Sequence, residues 1–303
     1  MLQSAIKEKR NLLIGYGLIL LGALGFSAKS IIIKLAYAQS VQLDAISLLA
    51  LRMLFALPFF LLVAIWNNRK TSAQALQAKQ WGLVILLGLI GYYVSSYLDF
   101  IGLQYISAGL ERVILFLYPT FVVIFTASAH KRNITRREMV ALLLSYAGMM
   151  LVFIEHLSLE SSGLWLGSTL VLASAISFAF FTMGSGMMTK RIGSARFTAY
   201  TMTIASVATL VHFACLHGVL WVDFPVKVYG LALIMAIFAT VLPAFFMNAG
   251  IRRIGAASAS IISTTGPIAT LVLAFFILNE AISLLQVAGT LFVLAGVYVV
   301  SRR

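Results

Sequence analysis

Apolar runs of roughly 18 to 24 residues recur along this chain from one end to the other, each long enough to cross a hydrocarbon layer about 30 Å thick at about 1.5 Å rise per residue. Ten can be drawn, at approximately 12–35, 44–66, 81–101, 105–128, 137–155, 163–187, 197–217, 227–249, 256–278 and 283–300. They read as transmembrane helices. The short connections leave no room for a soluble domain, so the function is performed inside or across the bilayer. Composition agrees: with 61% hydrophobic and 10% charged residues and a mean hydropathy of +1.01, no soluble domain could cover its surface with polar groups.

A formal charge of +13 would suggest nucleic acid as the partner of a soluble protein. Here the placement of the bases decides otherwise. With a cytoplasmic N-terminus, the inner segments hold Lys7, Lys9, Arg10, Arg69, Lys70, Lys79, Lys131, Arg132, Arg136, Arg137, Lys190, Arg191, Arg196, Arg252, Arg253, Arg302 and Arg303, and the outer loops hold only Lys34 and Lys227. This is the positive-inside pattern of a multi-pass protein with both termini in the cytoplasm, and no nucleic-acid partner is expected. Trp66 and Trp81 fall at inner ends and Trp165 and Trp221 at outer ends, where an amphipathic ring prefers the headgroup region. The N-terminal KEKR followed by a long apolar run reads as a retained first helix rather than a cleaved leader. A single cysteine, Cys215, excludes an internal disulfide, and four scattered histidines offer no metal-ligand spacing, so neither metal nor cofactor is expected.

Shifting the sequence by 148 residues places Gly102 on Gly250, Ile106 on Ile254, Pro119 on Pro267, Ala147 on Ala295 and Gly148 on Gly296 without a gap. A shift of 152 pairs GALGFS (22–27) with SAISFA (174–179). Each half holds five crossings, and an odd number sends the second copy in from the opposite side. The hairpins carry the corresponding reversal of charge. Lys131 to Arg137 supplies four bases where Asn279 to Leu285 has Glu280 and none, whereas GLQYIS (102–107) has none where GIRRIG (250–255) has two. The expected fold is an all-α integral membrane protein of ten helices in two inverted five-helix repeats, residues 1–157 and 158–303, forming one compact membrane domain. Such repeats supply two nearly isoenergetic arrangements, one open to each side.

The segments LALRMLFALPFFLL (49–62), YISAGLERVILFLYPTFVVIF (105–125) and IGAASASIISTTGPIATLVLAFFILNEAISLLQVAGTLFVLAGVYVV (254–300), set in ten helices of two halves, resemble the EamA family of the drug/metabolite transporter superfamily. The resemblance covers nearly the whole chain, with departures at GFSAKS (25–30) and HKR (130–132). It implies export or exchange of small metabolites, often amino acids or related compounds, across a bacterial inner membrane.

Five ionisable residues fall at membrane depth: Lys29, Arg52, Asp99, Glu111 and Arg112. Counted from the helix ends, all lie in the outer half and can converge on one region. A charge at such depth costs about 3 kcal/mol on insertion scales, so these side chains should face the interior and find partners. Lys29 shares a stripe with Gly22 and Gly25, and Asp99 with Tyr92, Ser95 and Ser96. Adjacent residues project about 100° apart on a helix, so Glu111 and Arg112 should have different partners. The expected pairs are Glu111 with Lys29 or Arg52, and Arg112 with Asp99. Three bases against two acids leave one surplus positive charge, suited to an anionic group on a substrate. A buried ion network that only fixes helix packing is the competing reading.

Pro119 and Pro267 each free the carbonyl four residues back and mark helix breaks near a binding region. Ser263 and Thr264 in SIISTTGP offer hydroxyls beside one break, and Ser174, Ser177 and Ser185 offer more. Tyr92, Tyr97, Tyr118 and Phe178 can wall a pocket for an apolar group, and Glu280 can cap or brace its hairpin. These features predict a secondary transporter for a small amphiphilic or anionic metabolite, acting as a monomer or weak dimer in the bilayer. A proton on Asp99 or Glu111 is the candidate coupling ion, with facilitated diffusion the other outcome. No catalytic residues are assigned. A channel lacks its rings of charge here, and an intramembrane enzyme built on GSG (184–186) with His212 or His217 lacks a complete site.

Overall fold

A computed structural model describes residues 2–70, 76–129, 131, 133–157, 163–218, 223–254 and 265–301, and all their regular structure is helical. The helices are α1 (Leu2–Tyr37), α2 (Ala45–Lys70), α3 (Ala78–Gly88), α4 (Ser95–Tyr105), α5 (Ala108–Leu115), α6 (Tyr118–Ala129), α7 (Arg136–Leu157), α8 (Leu164–Ile192), α9 (Ser194–His217), α10 (Val226–Ala236), α11 (Leu242–Ile254), α12 (Thr265–Leu278) and α13 (Leu284–Ser301). Among the described residues, seven stretches are long and apolar enough to cross a membrane: Arg10–Tyr37, Ala45–Trp66, Ala78–Tyr105, Ala108–Ala129, Leu164–Gly186, Ser194–His217 and Val226–Met247. Three shorter apolar helices accompany them, Glu138–Ile154, Thr265–Leu278 and Leu284–Gly296. Trp66, Trp81 and Trp165 are exposed near helix ends, and Trp221 lies outside the described residues.

Local chemistry sets the helix ends. Asp44 Oδ1 accepts from the Ser47 N–H at 3.0 Å to start α2, and Ser107 Oγ accepts from the Leu110 N–H at 3.1 Å to start α5. Thr135 and Glu138 exchange hydrogen bonds across the first turn of α7. Between α8 and α9 the chain turns on Gly193 alone, at φ +83°, a conformation in which any side chain would be strained.

The fourth expected span is not one helix. It breaks at Phe116–Leu117, just before Tyr118–Pro119, because the proline removes a backbone donor from the first turn of α6 and leaves α5 to end independently. Pro267 lies buried in the first turn of α12, and the residues before it, 255–264, are outside the described set. Two further breaks are π-helical, the first with no proline near it and the second just before Leu242–Pro243. Wide π-helical turns join α3 to α4 at Leu89–Val94 and α10 to α11 at Ile237–Val241, and their starting residues differ by the same 148 positions that relate the sequence halves.

Small residues let backbones meet. A Cβ on Gly102 would lie 2.5 Å from Val171 Cγ2 and 3.0 Å from the Gly167 carbonyl oxygen, where α4 crosses α8. A Cβ on Gly250 would lie 2.6 Å from Ile19 Cδ1 and 3.1 Å from the Gly15 carbonyl oxygen, where α11 crosses α1. The first contact maps onto the second by the offsets 148 and 152. The stripe Gly22–Gly25 of α1 also faces α11, against Met247 and Pro243. α7 and α13 pack through Gly148, whose missing Cβ is occupied by the Gly289 carbonyl oxygen. Gly148→Ala therefore costs about 1–3 kcal/mol, read as a lower thermal midpoint in detergent, whereas Gly186→Ala, with open space around its Cα, does not lower it.

The largest apolar cluster gathers Ile33 and Ala36 of α1, Leu48, Leu49 and Met53 of α2, Phe100 and Leu103 of α4, and Val228, Ala232 and Met235 of α10. The membrane-depth charges lie beside it, since Arg52 and Asp99 immediately precede Met53 and Phe100.

Candidate functional site

A cavity of about 360 Å³ lies among α1, α2, α4, α5, α8, α9 and α11, reached by both π turns. Its first-half wall carries Lys29, Arg52, Tyr92, Ser95, Ser96, Asp99, Arg112, Phe116 and Tyr118. Its other wall carries Ser174, Phe178, Met202, Ala239, Thr240, Ala244, Met247 and Gly266. Lys29, Arg52, Tyr92, Ser95, Asp99, Arg112, Tyr118, Ser174 and Phe178, all expected from sequence, thus meet in one place. Glu111 is fully buried beside Arg112 but is not on the wall. Ser263 and Thr264 lie outside the described residues.

The ion pairs differ from those expected. Lys29 Nζ donates to Asp99 Oδ2 at 2.6 Å, so the lysine neither snorkels to the surface nor pairs with Glu111. Arg112 leaves Asp99 to Lys29. Its Nη2 donates to the Phe26 carbonyl at 2.8 Å and to Ser30 Oγ at 3.2 Å, while its Nε stands 3.8 Å from Glu111 Oε2. Adjacent residues do pair here, because α5 is only eight residues long and buried on every side, which confines both side chains to one space. Arg52 takes neither acid. Its Nη2 donates to Ser96 Oγ at 3.3 Å and its guanidinium carbon lies 5.1 Å from the centroid of the Phe100 ring.

Several buried polar atoms find no hydrogen-bond partner among the described residues: Arg52 Nε, Arg112 Nε, Asp99 Oδ1 and both carboxylate oxygens of Glu111. Buried polar groups are normally satisfied, so such a concentration singles this cluster out as the candidate site.

The hydroxyls are mostly spoken for. Ser95 and Ser174 donate to each other's carbonyls, at 3.2 and 2.7 Å. Ser177 Oγ donates to the Ile90 carbonyl at 2.6 Å, within the first π turn, and Ser185 donates to Thr182. Thr240 spans the second π turn to the Met235 carbonyl at 3.1 Å. The pocket aromatics form a continuous chain: Tyr118 meets Phe178 edge-on at 5.2 Å, and Phe178 and Tyr92 both contact Phe181. Tyr97, expected with them, packs instead on His212, which accepts or donates a hydrogen bond with Tyr93 OH at 2.8 Å, away from the cavity.

Glu280 reaches further than its own hairpin. Its carboxylate accepts from the Ala108 and Gly109 N–H groups at 3.1 and 3.4 Å, closing the N-terminus of α5, the helix that carries Glu111 and Arg112. The left-handed Asn279 turns the chain to bring it there.

Lining residues missed from sequence include Phe116, Met202, Thr240, Ala244 and Met247. A signal existed for three of them: the 148 offset carries Tyr92, Ser96 and Asp99 onto Thr240, Ala244 and Met247.

The EamA-like transporter family matches residues 13–154 and again residues 165–302. The chain belongs to that family. Uncharacterized transporter YcbK of Bacillus subtilis (strain 168) is 32% identical over 301 residues, which cover 97% of this chain and 95% of the relative. Uncharacterized transporter YyaM of the same organism is 28% identical over 72% of each chain, and uncharacterized inner membrane transporter YicL of Salmonella typhimurium (strain LT2) is 23% identical over 83% of each. A protein crystal structure only 15% identical aligns at a TM-score of 0.64 over 98% of this chain and 99% of its own, which extends the likeness of fold. This EamA-like chain is therefore a multi-pass membrane protein of a transporter family.

Proposed function

We propose that the protein is a secondary transporter that exports a small amphiphilic metabolite across the bacterial cytoplasmic membrane by alternating access between two inverted five-helix repeats, with both termini in the cytoplasm. The observation that carries this reading is the cavity itself, a buried space walled on one side by charges that lipid would reject. Two successive family matches support the repeats, as do the mapped glycine contacts and π turns. The inversion follows from five crossings per half.

A proton is the coupling ion this reading favours. Asp99 and Glu111 are within electrostatic reach of one another, and three of their four oxygens have no partner among the described residues. A proton held between two such carboxyls would satisfy them when the site is empty.

Two measurements test the proposal. Purified protein in proteoliposomes is expected to give saturable counterflow, and non-saturable leak would overturn it. In a Cys215→Ser background, a membrane-impermeant maleimide is expected to label Asp223→Cys in intact cells and Lys131→Cys only after permeabilisation. The reverse pattern would overturn the orientation.

A further inference from the structure

We propose that the solute this cavity takes is an organic monoanion, a carboxylate with an apolar body of aromatic size rather than a zwitterionic amino acid, and that Arg52 receives the carboxylate. The proposal rests on the transport reading above and names its substrate class.

The cations of the site are not equivalent. Lys29 has Asp99 at 2.6 Å, and Arg112 has Glu111 together with the Phe26 carbonyl and Ser30. Arg52, with only 3% of its surface exposed, has one hydroxyl at 3.3 Å and an aromatic face, and its Nε has no partner among the described residues. Three cations against two acids leave a surplus of one positive charge, and protonating either acid enlarges that surplus. A monoanion cancels it. A zwitterion does not, and its ammonium would have to share Asp99 with Lys29, which already holds Oδ2 at 2.6 Å and leaves only Oδ1 without a partner among the described residues, while Glu111 is not on the cavity wall. Arginine also presents the planar fork of donors that matches a carboxylate.

The opposite wall fits the remainder of such a molecule. Phe178, Met202, Ala244 and Met247 bring no charge, and Tyr118 meets Phe178 edge-on. A volume of about 360 Å³ lies at the small end of ligand pockets, room for a ring with a short acid arm. Every charge on the lining comes from Lys29, Arg52, Asp99 and Arg112, and the rest of the lining is apolar, aromatic or hydroxyl-bearing, which suits an occupant with one anionic group on an apolar body.

Three probes share one ring and differ in charge: 3-phenylpropanoate, L-phenylalanine and 2-phenylethylamine. On the purified full-length protein, 3-phenylpropanoate is expected to raise the thermal midpoint saturably and to bind at least about 10-fold more tightly than the other two. Arg52→Gln is expected to abolish that stabilisation, and Arg52→Lys, which keeps the charge but loses the fork, to weaken it about 10-fold. The wild-type probe series stands whether or not the variants fold. Phenylalanine or the amine binding as tightly as the acid overturns the proposal, and so does stabilisation by none of the three. Saturable counterflow of phenylalanine without that of the acid overturns it while leaving transport intact. Non-saturable leak of every probe overturns the transport reading.

Discussion

Asp99→Asn destabilises the protein by about 3 kcal/mol, and adding Lys29→Met to it recovers most of the loss. The asparagine keeps the shape of the side chain and removes the counter-charge that Lys29 holds at 2.6 Å. What remains is a lysine with 15% of its side chain exposed and no acid on its nitrogen. The cost comes from leaving one charge unpaired, not from the intrinsic worth of the pair. The double variant, in which both charges are gone, is the informative comparison. Thermal unfolding in detergent, followed for the two single variants and the double, checks the result. Equal losses in Asp99→Asn and the double variant would mean that the pair does not form.

Glu111→Gln has a different signature: it leaves stability within about 1 kcal/mol of wild type, because relief of the buried carboxylate offsets the loss of Arg112's counter-charge, and it reduces flux in proteoliposomes to that of empty vesicles. Glu111 has no exposed surface, neither of its oxygens has a hydrogen-bond partner among the described residues, and the cation it pairs with, Arg112, is 3.8 Å away. Burying a carboxylate so poorly compensated costs more than burying an amide. Removing the charge relieves the fold and raises the local positive surplus by one. Full transport by the glutamine variant would show that the acid is structural.

Much of the architecture was legible in the residues, and the reasons for the exceptions are physical. Helix positions follow from the length of apolar runs, which the bilayer dictates and which tertiary packing cannot override. The convergence of Lys29, Arg52, Asp99 and Arg112 was legible because charges at that depth have nowhere else to go. Their partners were not. Which acid Lys29 reaches depends on how far α1 is rotated against α4, and close packing at Gly22 and Gly25 against α11 sets that rotation, not spacing along one helix. Pro119 marked a break within one turn of where it occurs. The π turn at Leu89–Val94 had no signal, since a widened turn needs no proline and leaves composition unchanged, whereas the one at Ile237–Val241 had an unread marker in Pro243 just beyond it. The reach of Glu280 to α5 joins residues 171 and 172 positions apart, which only folding reveals.

The π turn at Ile237–Val241 and the helix after it form much of the uncharged wall, whereas every ionised side chain of the site belongs to the first 112 residues. The ancestral copies have thus specialised. Drift in one can retune how bulky a solute is accepted while the electrostatic contract held by the other stays as it was, so paralogues of this protein are free to diversify in cargo size without relearning how to recognise a charge.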